Sequence, residues 1–242
     1  MEIVAVQPKD RLIVALDVPT LEETEELVRS LVREVSLFKV GVQLYYGHGP
    51  EVVERVQSWG GKVFLDLKLH DIPNTVAEAV RVLTRLEVAM LTLHSAGGRE
   101  MLRRAALAAR EEAAIMGTRP PLLLGVTVLT SLTQTDLADL GLSGQLRDIV
   151  VRWAKMVQEA GLDGVVASAR EAKVLRLALG PEAVIVTPGI RPSWSGPDDQ
   201  HRIATPKEAV RAGATYLVVG RPIIHAPDPV AAVRRVLEEL KD

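Results

Sequence analysis

Short aliphatic runs return along the entire 242-residue chain, and between them lie stretches with the periodicity of helices. The runs fall at 12–17, 36–41, 62–68, 89–94, 122–128, 164–168, 183–187 and 216–220. In the first intervening stretch Leu27, Val28, Leu31, Val32 and Val35 share one helical face, with Glu and Arg opposite. Thr20 with Glu23 and Thr205 with Glu208 read as capping boxes, the second with Pro206 at the first helical position. Eight strand–helix units in alternation predict a single-domain (β/α)8 TIM barrel over residues 1–242, with 1–9 as an extension before the first strand. A doubly wound open sheet is the competing architecture, because periodicity does not report whether a sheet closes.

The amino-acid content suits either parallel sheet. Aromatic residues make up only 3 % of a chain that is 48 % hydrophobic, so the core must be built from Val, Leu, Ile and Ala. Such side chains fill strands that are buried on both faces by helices. A formal net charge of −2 with no long run of one sign argues against a nucleic-acid partner or a polybasic membrane patch. The absence of cysteine removes disulfides and thiolate metal sites. No signal-like opening and no apolar run of roughly 18–20 residues is present, so a soluble cytoplasmic protein is expected.

Chemistry concentrates in the third run. At a strand period of two, Phe64, Asp66, Lys68 and His70 share one face, while Leu65, Leu67 and Leu69 share the other. Same-face neighbours on a strand stand about 6–7 Å apart, which sets a carboxylate beside an ammonium. Asp71 adds a second carboxylate just beyond. Two unlike charges on the inner face of a barrel strand are costly to desolvate unless the site uses them.

Other polar residues also fall where a barrel places its active groups, at the C-terminal ends of strands. Asp17 ends the first run, Lys39 lies near the end of the second, and Thr130 and Ser131 follow the fifth. Asp17, Lys39, Asp66 and Lys68 are expected to form an alternating charge network. Taken singly, several have plainer readings: Asp17 as a turn residue, Lys39 as a snorkelling lysine, Thr75 with Glu78 as a capping box, Gly220-Arg221 as a turn. His70 and His94 read as structural, since no metal-ligand spacing surrounds them. Loops after the seventh and eighth barrel strands frequently bind phosphate. There Gly220 permits close backbone approach, Arg221 offers a bidentate contact, and Arg191 and Gln200 reach in from a long loop. A phosphorylated small molecule is the ligand this pattern points to. The stretches 130–145 and 191–201 exceed an ordinary strand-to-helix turn and read as lid loops.

Taken together, these segments resemble the orotidine 5′-phosphate decarboxylase family. Its Asp-x-Lys-x-x-Asp-Ile-x-x-Thr signature is matched by Asp66, Lys68, Asp71, Ile72 and Thr75. Asp17, Lys39, Thr-Pro-Gly-Ile-Arg-Pro at 187–192, Gln200 and Val-Gly-Arg-Pro-Ile at 219–223 follow in the family's order, so the likeness runs from residue 11 to 235. The resemblance implies decarboxylation of orotidine 5′-phosphate to UMP, with no metal and no organic cofactor. It makes Lys68 the acid that protonates carbon 6, flanked by Asp66 and Asp71. Asp71 and Thr75 would come from the neighbouring subunit of a homodimer. Asp17, Lys39 and Thr75 would bind ribose hydroxyls, and Thr130 or the adjacent Ser131 the pyrimidine. Arg191, Gln200, Gly220 and Arg221 would hold the phosphate, with Ile72 and Pro188 completing the substrate-binding set.

Two rivals differ in class. Sister decarboxylases and synthases acting on sugar phosphates share the Asp-x-Lys-x-x-Asp core but need Mg²⁺, held by further carboxylates; the strand before Asp17 and the Leu-Thr-Leu-His end of the fourth run offer none. A barrel that only binds nucleotides would bind UMP without turnover.

Overall fold

The structure, a computed structural model, describes residues 8–195 and 204–240. Eight parallel strands close in sequence order: β1 (Leu12–Ala15), β2 (Leu37–Gly41), β3 (Lys62–Leu69), β4 (Met90–His94), β5 (Leu122–Val126), β6 (Gly164–Val166), β7 (Val184–Thr187) and β8 (Tyr216–Val219). β8 returns to β1 with Leu12 opposite Leu217 and Ile13 opposite Val218, which rules out the open sheet.

Alternation along each strand divides the core into two shells. Ile13, Phe64, Met90, Leu124, Val186 and Val218 pack together inside the barrel. Their neighbours Val14, Leu65, Leu91, Leu123, Ile185 and Leu217 belong to the shell between strands and helices. Both faces are therefore apolar, which is why the strands read as unbroken aliphatic runs.

Four of the eight runs outlast their strands. Leu16 and Val128 remain buried beyond the last paired residue of their strands, so hydropathy does not mark where pairing stops. Ser168, placed at the end of the sixth run, instead caps the helix Ala169–Leu179 by accepting the Arg170 N–H. Gly220 leaves extended geometry altogether, at φ −112° and ψ −104°.

β3 departs the other way. Its pairing with β4 matches Phe64 to Met90 and Leu65 to Leu91, then jumps to Leu69 opposite Leu93. Two steps along β4 thus face four along β3. Inside this bulge Lys68 adopts φ +52°, the left-handed region that side chains other than glycine rarely enter.

Helix starts differ from expectation in three places. The Thr205–Glu208 capping box forms in full, while at Thr20 only one half does, with the hydroxyl accepting the Glu23 N–H at 3.2 Å. The Thr75–Glu78 box does not form. That helix, Pro73–Thr84, begins at a proline whose missing N–H suits the first position, and Thr75 lies inside its first turn. The stretch 130–145 is no simple loop, since it contains the helix Gln134–Asp139, opened by a Thr133–Asp136 capping box. Val32 and Val35 continue their apolar stripe past the end of the helix Leu21–Leu31. Of the extension before β1, Pro8 and Lys9 open the short helix Pro8–Arg11. Among the described residues no helix is long and apolar enough to cross a membrane.

Candidate active site

At the C-terminal mouth of the barrel lies a cavity of about 180 Å³. Lys39, Asp66, Lys68 and Thr130 supply its polar wall, and Phe64, Pro188 and several valines complete it. Small, mostly apolar pockets with a few converging polar groups are the usual form of a substrate site. A larger open cleft of about 770 Å³ lies on the outer helices beside Arg147 and Arg152 and includes none of these charged pairs.

Two ion pairs stand at the mouth. The Lys39 ammonium donates to Asp17 Oδ1 at 3.0 Å, and the Lys68 ammonium to Asp66 Oδ2 at 2.9 Å. Side chains two strand steps apart leave the backbone about 6–7 Å from one another, and the lysine spans that gap. The contact forms inside the bulge, where Lys68 takes its left-handed conformation. Asp66 keeps only 14 % of its side chain exposed, so water screens this pair less than it would a fully exposed one. The expected network of four charges is realised as two pairs.

Thr92 was absent from the residues singled out in the sequence, yet it joins this constellation. It is fully buried on β4, accepts the Lys68 backbone N–H at 2.9 Å and donates to Asp66 Oδ1 at 3.0 Å. A signal was present: Thr92 is in phase with Met90 on the inner face, one strand over from Asp66.

The two histidines near the mouth touch each other. Their rings stack with centroids 5.3 Å apart, and the Trp153 ring meets His94 edge-on at 6.2 Å. His94 Nδ1 accepts the Ala96 N–H at 3.2 Å. Burial pushes the His94 imidazole below its ordinary value, and the neighbouring His70 and Lys68 push it further.

The rim residues divide. Asp71, Ile72 and Thr75 are exposed, and none lines the cavity of its own chain; Asp71 Oδ1 instead accepts the Ile72 N–H at 2.6 Å. Thr130 lies in the cavity wall, while Ser131 is exposed outside it. Arg191 is buried at the base of the long loop after β7, where its N–H bonds to Ala204 O at 2.9 Å. Gly220 lies against the first strand's end: a Cβ there would stand 3.4 Å from Asp17 Oδ2. Arg221 opens the short helix Arg221–Ile224 directly after it. Gln200 lies outside the described residues. Among those described, no group of three or more His, Asp or Glu side chains gathers as a metal site.

Residues 10–236 match the model of the orotidine 5′-phosphate decarboxylase / HUMPS family. The chain is 52 % identical over 241 residues to the orotidine 5′-phosphate decarboxylase of Moorella thermoacetica, covering 99 % of this chain and 96 % of that protein. It is 52 % identical over 237 residues to the enzyme of the same name from Heliobacterium modesticaldum, covering 98 % of each. Among solved structures, orotidine 5′-phosphate decarboxylase from Lactobacillus acidophilus superposes with a TM-score of 0.83 at 36 % identity, over 96 % of this chain and all 100 % of that one.

Proposed function

The chain belongs to the orotidine 5′-phosphate decarboxylase / HUMPS family, and from that membership we infer that it removes CO₂ from orotidine 5′-phosphate to give UMP, the last step of de novo UMP synthesis. The observation that carries this reading is the Lys68 ammonium, held 2.9 Å from the Asp66 carboxylate in the wall of a small cavity.

The reaction asks for such a group. When the bond between carbon 6 and its carboxylate breaks, the electron pair stays on carbon 6 in an orbital lying in the ring plane. The ring cannot delocalise it there, so a fixed positive charge nearby must stabilise it. An ammonium also supplies the proton that makes the new C–H bond. Lys68 takes both roles: CO₂ leaves, the pair on carbon 6 accepts an N–H proton, and the neutral amine is reprotonated from water. Asp66 stabilises the ammonium beforehand and stands beside the departing carboxylate.

The other residues bind and orient. Asp17 and Lys39 take ribose hydroxyls, Thr130 contacts the pyrimidine with Pro188 alongside, and Arg191, Gln200, Gly220 and Arg221 hold the phosphate. Phosphate is remote from the breaking bond, so its binding energy organises the charged groups and raises turnover as well as affinity. Asp71, Ile72 and Thr75 serve the neighbouring site of a homodimer. Support comes from the exposure of all three in the single chain, with Ile72, an apolar side chain beside the site, 66 % exposed. The enzyme so described is metal-free and cytoplasmic.

The test is turnover in EDTA, following loss of orotate absorbance and identifying UMP as product. Fast conversion is expected. No conversion, with activity on a sugar phosphate once Mg²⁺ is restored, would overturn the reading.

A further inference from the structure

We propose that Thr92 is the positioning residue of the Asp66–Lys68 pair, acting through its hydroxyl and without touching substrate. The inference rests on the decarboxylase reading above and extends it to a residue outside the family signature.

The bulge in β3 creates a specific problem. Between Leu65 and Leu69 the regular pairing with β4 is lost, so the Lys68 N–H has no ladder carbonyl to bond. A backbone donor left unpaired in a buried place is costly. Thr92 Oγ1 accepts it at 2.9 Å. The hydroxyl has one hydrogen, and it goes to Asp66 Oδ1 at 3.0 Å. One side chain therefore grips the backbone of the lysine and the carboxylate of the aspartate at once.

The consequence for Asp66 is geometric. Oδ1 is held by Thr92 and Oδ2 by the Lys68 ammonium, so the carboxylate plane cannot rotate without breaking one of them. The consequence for Lys68 is conformational. Its φ of +52° is sustained only while surrounding contacts outweigh the strain, and the Thr92 bond is the one that reaches its own N–H. Thr92 is itself well suited to the task. It is 0 % exposed, its β-branched side chain has few rotamers, and Leu124 stands opposite on β5. Loss of the hydroxyl frees both charged groups together, and displacements of about 1 Å can cost about 100-fold in rate.

Three proteins test this: wild type, Thr92→Val, which keeps the shape and removes the hydroxyl, and Thr92→Ser, which keeps the hydroxyl. Wild-type turnover is measured first, and its absence would sink the reaction itself and this inference with it. Given wild-type turnover, the valine variant is expected to lose about 10- to 100-fold in kcat, with KM and UMP affinity within about threefold. The serine variant is expected within about threefold of wild type. Wild-type kcat in the valine variant, a loss confined to KM, or an equal loss in the serine variant would each overturn the role while leaving the reaction standing. Should Thr92→Val not fold, Thr92→Ala removes the hydroxyl without a second branch and is judged by the same kcat and KM criteria. A crystal structure of the hydroxyl-less variant provides an independent check: an unchanged Lys68 φ and an intact Lys68–Asp66 contact would also overturn the proposal.

Discussion

The Lys39 ammonium lies so close to the backbone of Gly41 that a Cβ at that glycine would stand 3.0 Å from Nζ and 3.7 Å from Asp17 Oδ1. Gly41 sits at the end of β2 with φ −90°, so a side chain there meets no backbone strain. The only obstacle is the far end of Lys39, which can swing away. Gly41→Ala should therefore disturb the Asp17–Lys39 pair and spare the fold. Steady-state kinetics should show KM for orotidine 5′-phosphate raised about tenfold, corresponding to about 1.4 kcal/mol of lost binding, with kcat changed less. Thermal unfolding should be nearly unaltered. An unchanged KM would remove Asp17 and Lys39 from the substrate contacts.

Lys68→Ala should remain folded and lose more than about 10⁴-fold in kcat, since general-acid and electrostatic contributions of about 10²–10⁴ and 10²–10³ vanish together. Asp71→Ala should also be severely impaired. If Asp71 serves the neighbouring subunit, mixing the two variants at equal concentration should restore about a quarter of the native sites, because half the dimers are mixed and each carries one intact site. Activity that fails to rise on mixing, in a dimer shown to exchange subunits, would confine Asp71 to its own chain.

His94 gives the stability of the protein a pH dependence whose sign is determined. Its imidazole titrates below the ordinary value of 6.5 in the fold, chiefly through burial. Between the two values the unfolded chain holds the proton and the folded one does not, so stability falls as pH drops below about 7 and levels off under the folded value. His94→Asn offers an acceptor to the Ala96 N–H without titrating, and its melting temperature should decline less between pH 7 and pH 5. Shifted carboxylates act lower on the scale: Glu100, held at about 2 by Arg103 and Arg104, leaves this window undisturbed. Parallel melting curves for the two proteins would refute the assignment.

Gly164 lies where β6 meets β7. It pairs with Val184, and a Cβ there would overlap the Val184 carbonyl oxygen. Backbone cannot yield as a lysine tip does, so Gly164→Ala should cost about 3 kcal/mol or more, at the upper end of overpacking in cores. Chemical denaturation should detect it, and a loss under about 1 kcal/mol would show that the strands can part there.

The barrel was legible because strands apolar on both faces leave unbroken aliphatic runs, and eight of them alternate with amphipathic stretches. Strand ends were less so. Leu16 and Val128 are as buried as true strand residues, and nothing in their hydropathy says that pairing has stopped. The helix at Gln134–Asp139 went unread although Thr133 and Asp136 stand at capping distance, because the surrounding polar residues look like a loop. At the site, the Asp66–Lys68 pair was legible as unlike charges on an inner face, and its family roles followed from the signature. The irregular backbone beneath it was not. A period-two reading assumes regular strand, and a lysine with positive φ inside a bulge gives no local sign. Thr92 escaped for a related reason, since threonine is an ordinary strand former and only its position opposite the bulge makes it more.

The bulge in β3 also bears on moving this chemistry elsewhere. Writing Asp-x-Lys into a regular strand of another barrel would reproduce the two charges without the bulged backbone and the hydroxyl that hold them here. A working graft would have to carry the two surplus residues, the left-handed lysine and a hydroxyl on the adjoining strand as one cassette. The unit that can be transplanted is thus a piece of backbone spanning two strands, and the familiar three-letter string is only its most visible part.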